Sequence, residues 1–122
     1  MKIPFIAAIL LLCNAEWNID NACEVIISSE GSVEVSVSSN PTTGYSWYID
    51  QSSLGPLYTD NLEGNYTPNS TDVVGSGGTQ TFTISCTIDC KYISAADVQF
   101  YLKRSWEPDA KEYKCIYFYI TQ

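Results

Sequence analysis

Apolar and polar residues alternate with a period of two along much of this chain. The clearest case is Ser32 to Ser38, where Val33, Val35 and Val37 fall on one side of an extended chain and polar residues on the other. Similar patterns predict strands at 23–28, 45–49, 57–59, 81–86, 98–103 and 114–120, and 93–97 is expected to hold one helical turn at most. Six or seven short strands, roughly ten residues apart, predict an all-β, antiparallel β-sandwich.

Length and composition exclude several classes of function. The 122 residues suffice for one domain with one core. There is no histidine, which excludes a histidine general base, a Ser–His or Cys–His nucleophilic pair and the usual histidine-containing metal sites. With 6 Lys and Arg against 14 Asp and Glu, the net charge is −8, which disfavours nucleic acid and anionic membranes as partners. We therefore expect no enzyme, no metal and no cofactor.

The N-terminus has the pattern of a secretory signal peptide. Lys2 precedes an apolar run from Ile3 to Cys13, and small residues lead to an expected cleavage site after Ala15. The run is too short to span a bilayer; the alternative is a buried N-terminal helix. Cleavage predicts a mature domain of residues 16–122, monomeric and free of the membrane. It would enter the secretory pathway and end outside the cell or in a lysosome-like or phagosome-like vesicle.

Cleavage would leave an even number of cysteines, which favours two disulfides in an oxidising compartment. They are Cys23, Cys86, Cys90 and Cys115. Three pairings are possible, and we expect Cys86–Cys90 as a local bridge with Cys23–Cys115 joining the first strand to the last. A zinc site is disfavoured because the first pair of closely spaced cysteines has no matching second pair.

Two N-glycosylation sequons begin at Asn65 and Asn69. Both lie in a polar segment rich in Gly, Pro and Asn, where glycan acceptors are usually found.

Three loops, at 40–44, 75–78 and 104–111, are expected to cluster at one end of the sandwich. The first loop and the residue after it read Asn40-Pro41-Thr42-Thr43-Gly44-Tyr45. Pro41 and Gly44 predict a rigid turn with the hydroxyls of Thr42 and Thr43 free at its crest. Trp47, in the strand that follows, is predicted to lie in the core.

The second and third loops offer different chemistry. The second reads Gly75-Ser76-Gly77-Gly78. Its backbone can approach a partner closely, although a simple hairpin turn is the alternative, and a phosphate site is disfavoured because no helix follows. The third reads Arg104-Ser105-Trp106. Arg and Trp are frequent anchors of protein interfaces, and the alternative is that Trp106 folds back over the core.

Taken together, these three motifs resemble those of the chagasin family of cysteine-protease inhibitors, over residues from about Val33 to the C-terminus. The resemblance implies an immunoglobulin-like sandwich whose three loops enter the cleft of papain-like cysteine proteases, from the same cell or a host. Inhibition would be reversible and competitive. By position, Thr42 and Thr43 would lie at the catalytic centre. The glycines Gly75, Gly77 and Gly78 would line the non-primed side, and Arg104 and Trp106 the primed side.

Two features depart from that family. Its third motif usually has proline where this chain has Ser105, and its fold does not depend on disulfides. A glycan on Asn69 would also crowd the second loop. A secreted or surface module for adhesion or glycan binding, built on the same sandwich, is the alternative function; there Thr42 and Thr43 would be dispensable.

Overall fold

Two β-sheets pack face to face in the computed structural model, which describes residues 16–69 and 75–122. The predicted signal peptide lies outside these residues. The described strands are β1 (Glu16–Asn18), β2 (Glu24–Ser28), β3 (Ser32–Ser39), β4 (Tyr45–Ile49), β5 (Leu57–Tyr58), β6 (Asn65–Pro68), β7 (Gly78–Cys86), β8 (Ala95–Arg104) and β9 (Glu112–Thr121). One sheet has the order β1-β3-β7-β5, with β6 also paired to β7, and the other has the order β2-β9-β8-β4.

The predicted all-β sandwich is confirmed, with nine strands in the described residues instead of about seven. The sheets are mixed, because β1 pairs with β3 and β2 pairs with β9 in parallel. Residues 93–97 were expected to hold one helical turn at most, but residues 95–97 belong to β8 and pair with β9. The described helical segments are 3₁₀ turns at Pro41–Thr43, Gln51–Ser53 and Ile88–Lys91. No helix in the described part of the chain is long and apolar enough to cross a membrane.

Alternating side chains from both sheets form the core. Val33, Val35 and Val37 of β3 are buried, as their spacing predicts. Phe82 of β7 and Phe100 of β8 meet edge to face across the sheets, with ring centroids 5.3 Å apart. Trp47 is 4% exposed, which confirms its predicted place in the core. Its indole N–H donates a hydrogen bond of 3.1 Å to the carbonyl oxygen of Ser38.

The cysteines form one of the two expected disulfides. Cys86 and Cys90 are bonded across the turn that follows β7. Cys23 and Cys115 are free and exposed, so the expected bridge between them is not formed. The parallel register of β2 and β9 sets Glu24 opposite Tyr117, which puts Cys23 level with Ile116 and one residue out of step with Cys115. Because neighbouring residues of a strand face opposite sides of the sheet, Cys23 and Cys115 point to different sides, which separates the two thiols.

Replacing Trp47 by alanine should lower the free energy of unfolding by about 3–5 kcal/mol, because the cavity forms in a closed core. Denaturation with guanidinium chloride measures the loss. Tyr92→Ala is the control, since Tyr92 is 83% exposed, and it should change stability by less than about 0.5 kcal/mol. A loss below about 1 kcal/mol for Trp47→Ala would contradict the core role.

Candidate functional site

The three loops meet at one end of the sandwich, which we call the loop end (residues 40–44, 75–77 and 105–111). The strand register brings them together. Ser39, the last residue of β3, is paired with Gly78, the first residue of β7. Tyr45, the first residue of β4, is paired with Arg104, the last residue of β8. The first loop therefore starts level with the end of the second loop and ends level with the start of the third loop.

The first loop is a 3₁₀ turn capped by the side chain of Asn40. The Oδ1 atom of Asn40 accepts hydrogen bonds from the main-chain N–H of Thr42 at 3.3 Å and from its hydroxyl at 2.5 Å. The hydroxyl of Thr43 donates to the carbonyl oxygen of Asn40 at 2.7 Å and accepts from the N–H of Tyr45 at 3.3 Å. Both threonines are exposed, but the prediction that their hydroxyls are free to donate was wrong, because both hydroxyl protons are used within the loop.

This bonding sets what the crest of the first loop offers to a partner. A hydroxyl carries one proton and two acceptor lone pairs. With its proton on Asn40, the exposed Thr42 oxygen acts as an acceptor. A partner that donates a hydrogen bond therefore suits this position.

The second loop is tied to the first. The side-chain N–H of Asn40 donates a 3.2 Å hydrogen bond to the carbonyl oxygen of Gly75. Gly75 and Gly77 have φ angles of 81° and 79°, which glycine adopts without strain. Gly78 was assigned to the contact surface by resemblance, but it is buried, and a Cβ there would collide with the carbonyl oxygen of Thr67. Its role is to let β6 approach β7.

The two candidate glycosylation sites lie at opposite ends of β6 and so differ in their distance from the loop end. Asn65 is exposed at the start of β6. Asn69 is also exposed, and it follows the end of that strand. Its main-chain N–H donates to the carbonyl oxygen of Gly77 at 2.9 Å, and its side chain donates to that of Ser76 at 3.4 Å. A glycan on Asn69 would therefore begin beside the second loop.

Arg104 and Trp106 brace the third loop against the first. The Nε–H of Arg104 donates a 3.2 Å hydrogen bond to the carbonyl oxygen of Thr43, and its guanidinium lies 4.3 Å from the centre of the Tyr45 ring. Trp106 is 68% exposed, so it does not fold over the core. Its indole packs on Gly44, where a Cβ would come within 2.7 Å of the ring. Gly44 also has a φ of 88°, so both space and backbone require glycine.

Gln80 is the part of the site that the sequence analysis missed. Its Oε1 atom accepts from the N–H of Trp47 and the hydroxyl of Ser39, both at 2.8 Å. Its Nε2 atom donates to the carbonyl oxygens of Trp47 at 3.0 Å and Glu63 at 2.8 Å. The signal was a polar residue on the same side of β7 as buried Phe82. This amide links β7, which follows the second loop, to β3 and β4, which flank the first loop.

The groups exposed at the loop end can form hydrogen bonds and apolar contacts with another molecule. The loop end presents acceptor oxygens, exposed glycine backbone and an indole, all held by contacts between the loops. Among the described residues, no group of three or more His, Cys, Asp or Glu side chains is placed to hold a metal ion. Fold and site together define a β-sandwich in which three loops, braced against one another, form a single surface at one end.

Comparison with known proteins identifies the family. Residues 27–120 match the family model of the Chagasin family peptidase inhibitor I42, and the chain belongs to this family of inhibitors, which are not enzymes. It is 35% identical to chagasin from Trypanosoma cruzi over 57 residues, which cover 43% of this chain and 50% of that protein. The chain thus matches about half the length of this curated relative.

Solved structures show the same fold. The cysteine protease inhibitor EhICP2 from Entamoeba histolytica superposes with a TM-score of 0.62 and 15% identity, over 88% of this chain and 95% of that chain. The solution structure of amebosin gives a TM-score of 0.65 and 23% identity, over 88% and 98% of the two chains.

Alanine at position 44 should displace Trp106, whereas alanine at position 75 should not. Both glycines have positive φ, so each substitution should cost about 1–2 kcal/mol of stability from backbone strain. Only Gly44 has the indole against it; a Cβ on Gly75 meets no described atom within 4 Å. The NMR resonance of the Trp106 indole N–H should shift in Gly44→Ala and stay in place in Gly75→Ala. An unchanged resonance in Gly44→Ala would contradict the packing.

Proposed function

We propose that this protein is a reversible, competitive inhibitor of papain-like cysteine proteases, endogenous or from a host, and that its loop end blocks the active-site cleft. The observation that carries the proposal is the bracing between the loops, from Asn40 to Gly75 and from Arg104 to Thr43. A surface fixed before binding loses little conformational entropy on association. Membership of a peptidase-inhibitor family and the likeness to EhICP2, a cysteine protease inhibitor, support the choice of target.

The crest of the first loop suits the catalytic centre of such proteases. Their nucleophile is a thiolate paired with an imidazolium, and the imidazolium is a hydrogen-bond donor. The Thr42 hydroxyl has its own proton on Asn40 and presents acceptor lone pairs. Thr42 is therefore expected to accept a hydrogen bond from the catalytic histidine.

Hydrogen bonds within the first loop explain how it would resist cleavage. The carbonyl oxygen of Asn40 accepts from the N–H and the hydroxyl of Thr43, and that of Pro41 accepts from the N–H of Gly44 at 2.8 Å. Attack by the thiolate requires the carbonyl oxygen to turn into the protease's oxyanion hole. At these positions that turn would break bonds that hold the loop together, so the loop can occupy the cleft without reacting.

The other two loops would lie on either side of this centre. Gly75 and Ser76 are exposed, and we expect this loop to run beside the backbone of the protease on the non-primed side. Trp106 would anchor the primed side. In place of the proline usual in the family, the turn at Ser105 is closed by a 3.1 Å hydrogen bond from the N–H of Glu107 to the carbonyl oxygen of Arg104 and by the ion pair of these two residues.

The secretory pathway is the compartment that we propose, with release from the cell or delivery to a digestive vesicle. The Cys86–Cys90 disulfide supports an oxidising environment. Asn65 and Asn69 are accessible to glycosylation there.

Titration of a papain-like protease with the purified protein tests the inhibitory function. Hydrolysis of a small peptide substrate should fall as the inhibitor approaches the enzyme concentration. The apparent KM should rise with kcat unchanged, and activity should return on dilution. Unchanged rates against several papain-like proteases would refute the proposal.

Replacing Trp106 by alanine should weaken inhibition about 30-fold, which corresponds to a hot-spot contact of about 2 kcal/mol. The inhibition constant is measured by the same titration. Tyr92→Ala removes an aromatic side chain of comparable exposure far from the loop end, and it should leave inhibition unchanged. Unfolding curves of both variants should overlay that of the parent. Equal inhibition by Trp106→Ala and the parent protein would exclude the indole as an anchor.

A further inference from the structure

Most of the positive charges in the described part of this acidic protein lie in the third loop and in the adjoining ends of β8 and β9. Residues 103–114 carry four of the five Lys and Arg side chains in the described part of the chain, with three carboxylates, for a formal net charge of +1. The other described residues carry one Lys and ten carboxylates, for a net charge of −9. The segment that contains the third loop therefore has a net positive charge, whereas the rest of the described chain is strongly negative.

Two of these lysines are held by aromatic rings. Nζ of Lys111 lies 4.6 Å from the centre of the Tyr45 ring, and Nζ of Lys114 lies 5.6 Å from that of the Trp47 ring. Within residues 16–69 and 75–122, the one ion pair shorter than 4.0 Å joins Arg104 to Glu107. A cation–π contact orients an ammonium group without neutralising its charge. Lys111 and Lys114 thus keep their full charge for a partner.

A cleft of about 530 Å³ opens between these cations and the first loop. Three basic side chains line it, Arg104, Lys111 and Lys114, with the carboxylates Asp20 and Glu112. Asp20 is engaged by the N–H of Ser38 at 3.0 Å and its hydroxyl at 2.6 Å. Asn40 and Thr43 also line the cleft, so a protein that covers the first loop also lies over this opening.

We infer that this cleft is a second docking site for the protease and receives a carboxylate side chain from the rim of the protease's active-site cleft. The inference rests on the proposed function and specifies its partner as a papain-like protease with an acidic rim beside the third loop. Exposed ion pairs add little to affinity, but opposite charges around a docking surface speed association. The chief effect should therefore be on the association rate.

The sign of the salt dependence separates this inference from an effect of net charge. A chain with a net charge of −8 should be repelled by an acidic protease, and added salt would then speed association. Attraction between the cleft and an acidic rim predicts the opposite, namely that salt slows association. The association rate is measured by stopped-flow mixing of the inhibitor with a papain-like protease that has an acidic rim, at a series of salt concentrations. A papain-like protease with a basic rim serves for comparison.

Charge-neutralising variants locate the effect. Lys111→Gln and Lys114→Gln should each slow association with the acidic-rim protease roughly threefold at low salt, and the double variant about tenfold, with dissociation nearly unchanged. The basic-rim protease should show no such slowing. Lys91→Gln is the matched control, because it removes the same charge from an exposed turn at the opposite end of β7, and it should associate like the parent.

The outcomes distinguish this inference from the proposed function. If the parent inhibits but salt speeds association with the acidic-rim protease, or if Lys111→Gln and Lys114→Gln associate like the parent, the docking site is refuted and inhibition stands. Equal slowing by Lys91→Gln would also refute it, because net charge would then govern the rate. If the parent inhibits no papain-like protease, the proposed function itself fails.

Discussion

The side-chain amide of Gln80 forms the hydrogen bonds that a neighbouring strand would otherwise form with Trp47, at the point where the two sheets approach each other. It bonds to both the N–H and the C=O of Trp47, as a paired backbone would, and its other two bonds reach Ser39 and Glu63. Gln80 is only 4% exposed, so a missing partner would leave buried polar groups unsatisfied, at about 1–3 kcal/mol each. This one residue fixes β4 against β7, and the positions of the first and second loops follow from it.

The loops then complete one another. Asn40 caps the first loop with one end of its amide and holds the second with the other end. Arg104 reaches back to the first loop, and the indole of Trp106 occupies the space that the missing side chain of Gly44 leaves. Each loop is thus shaped partly by contacts with another, and the loop end behaves as one surface. Such preorganisation lowers the entropy lost on binding, which favours the proposed entry of the first loop into a protease cleft.

The sequence predicted what depends on local pattern. Alternation located β3 and β4 closely because one side of each strand is buried. It missed β6, whose residues are all exposed and which is held by backbone pairing with β7. The hydroxyl bonds of Thr42 and Thr43 to Asn40 span only two and three residues, but the sequence alone does not show that the hydroxyl protons are used there. The absent Cys23–Cys115 bridge depends likewise on a parallel register that no short-range pattern encodes.

Tyr45 connects the rigidity of the loop end with its charge. Its backbone pairs with Arg104 where the first loop meets β4, and its ring contacts both the guanidinium of Arg104 and the ammonium of Lys111. Two like charges near one ring repel each other, and the negative face of the ring offsets part of that repulsion. The aromatic ring therefore helps to hold two cations close together at the loop end, and Glu107 pairs with only one of them, Arg104. In the proposed complex, bracing would act mainly on the dissociation rate and the concentrated charge on the association rate, so the two rates could vary independently.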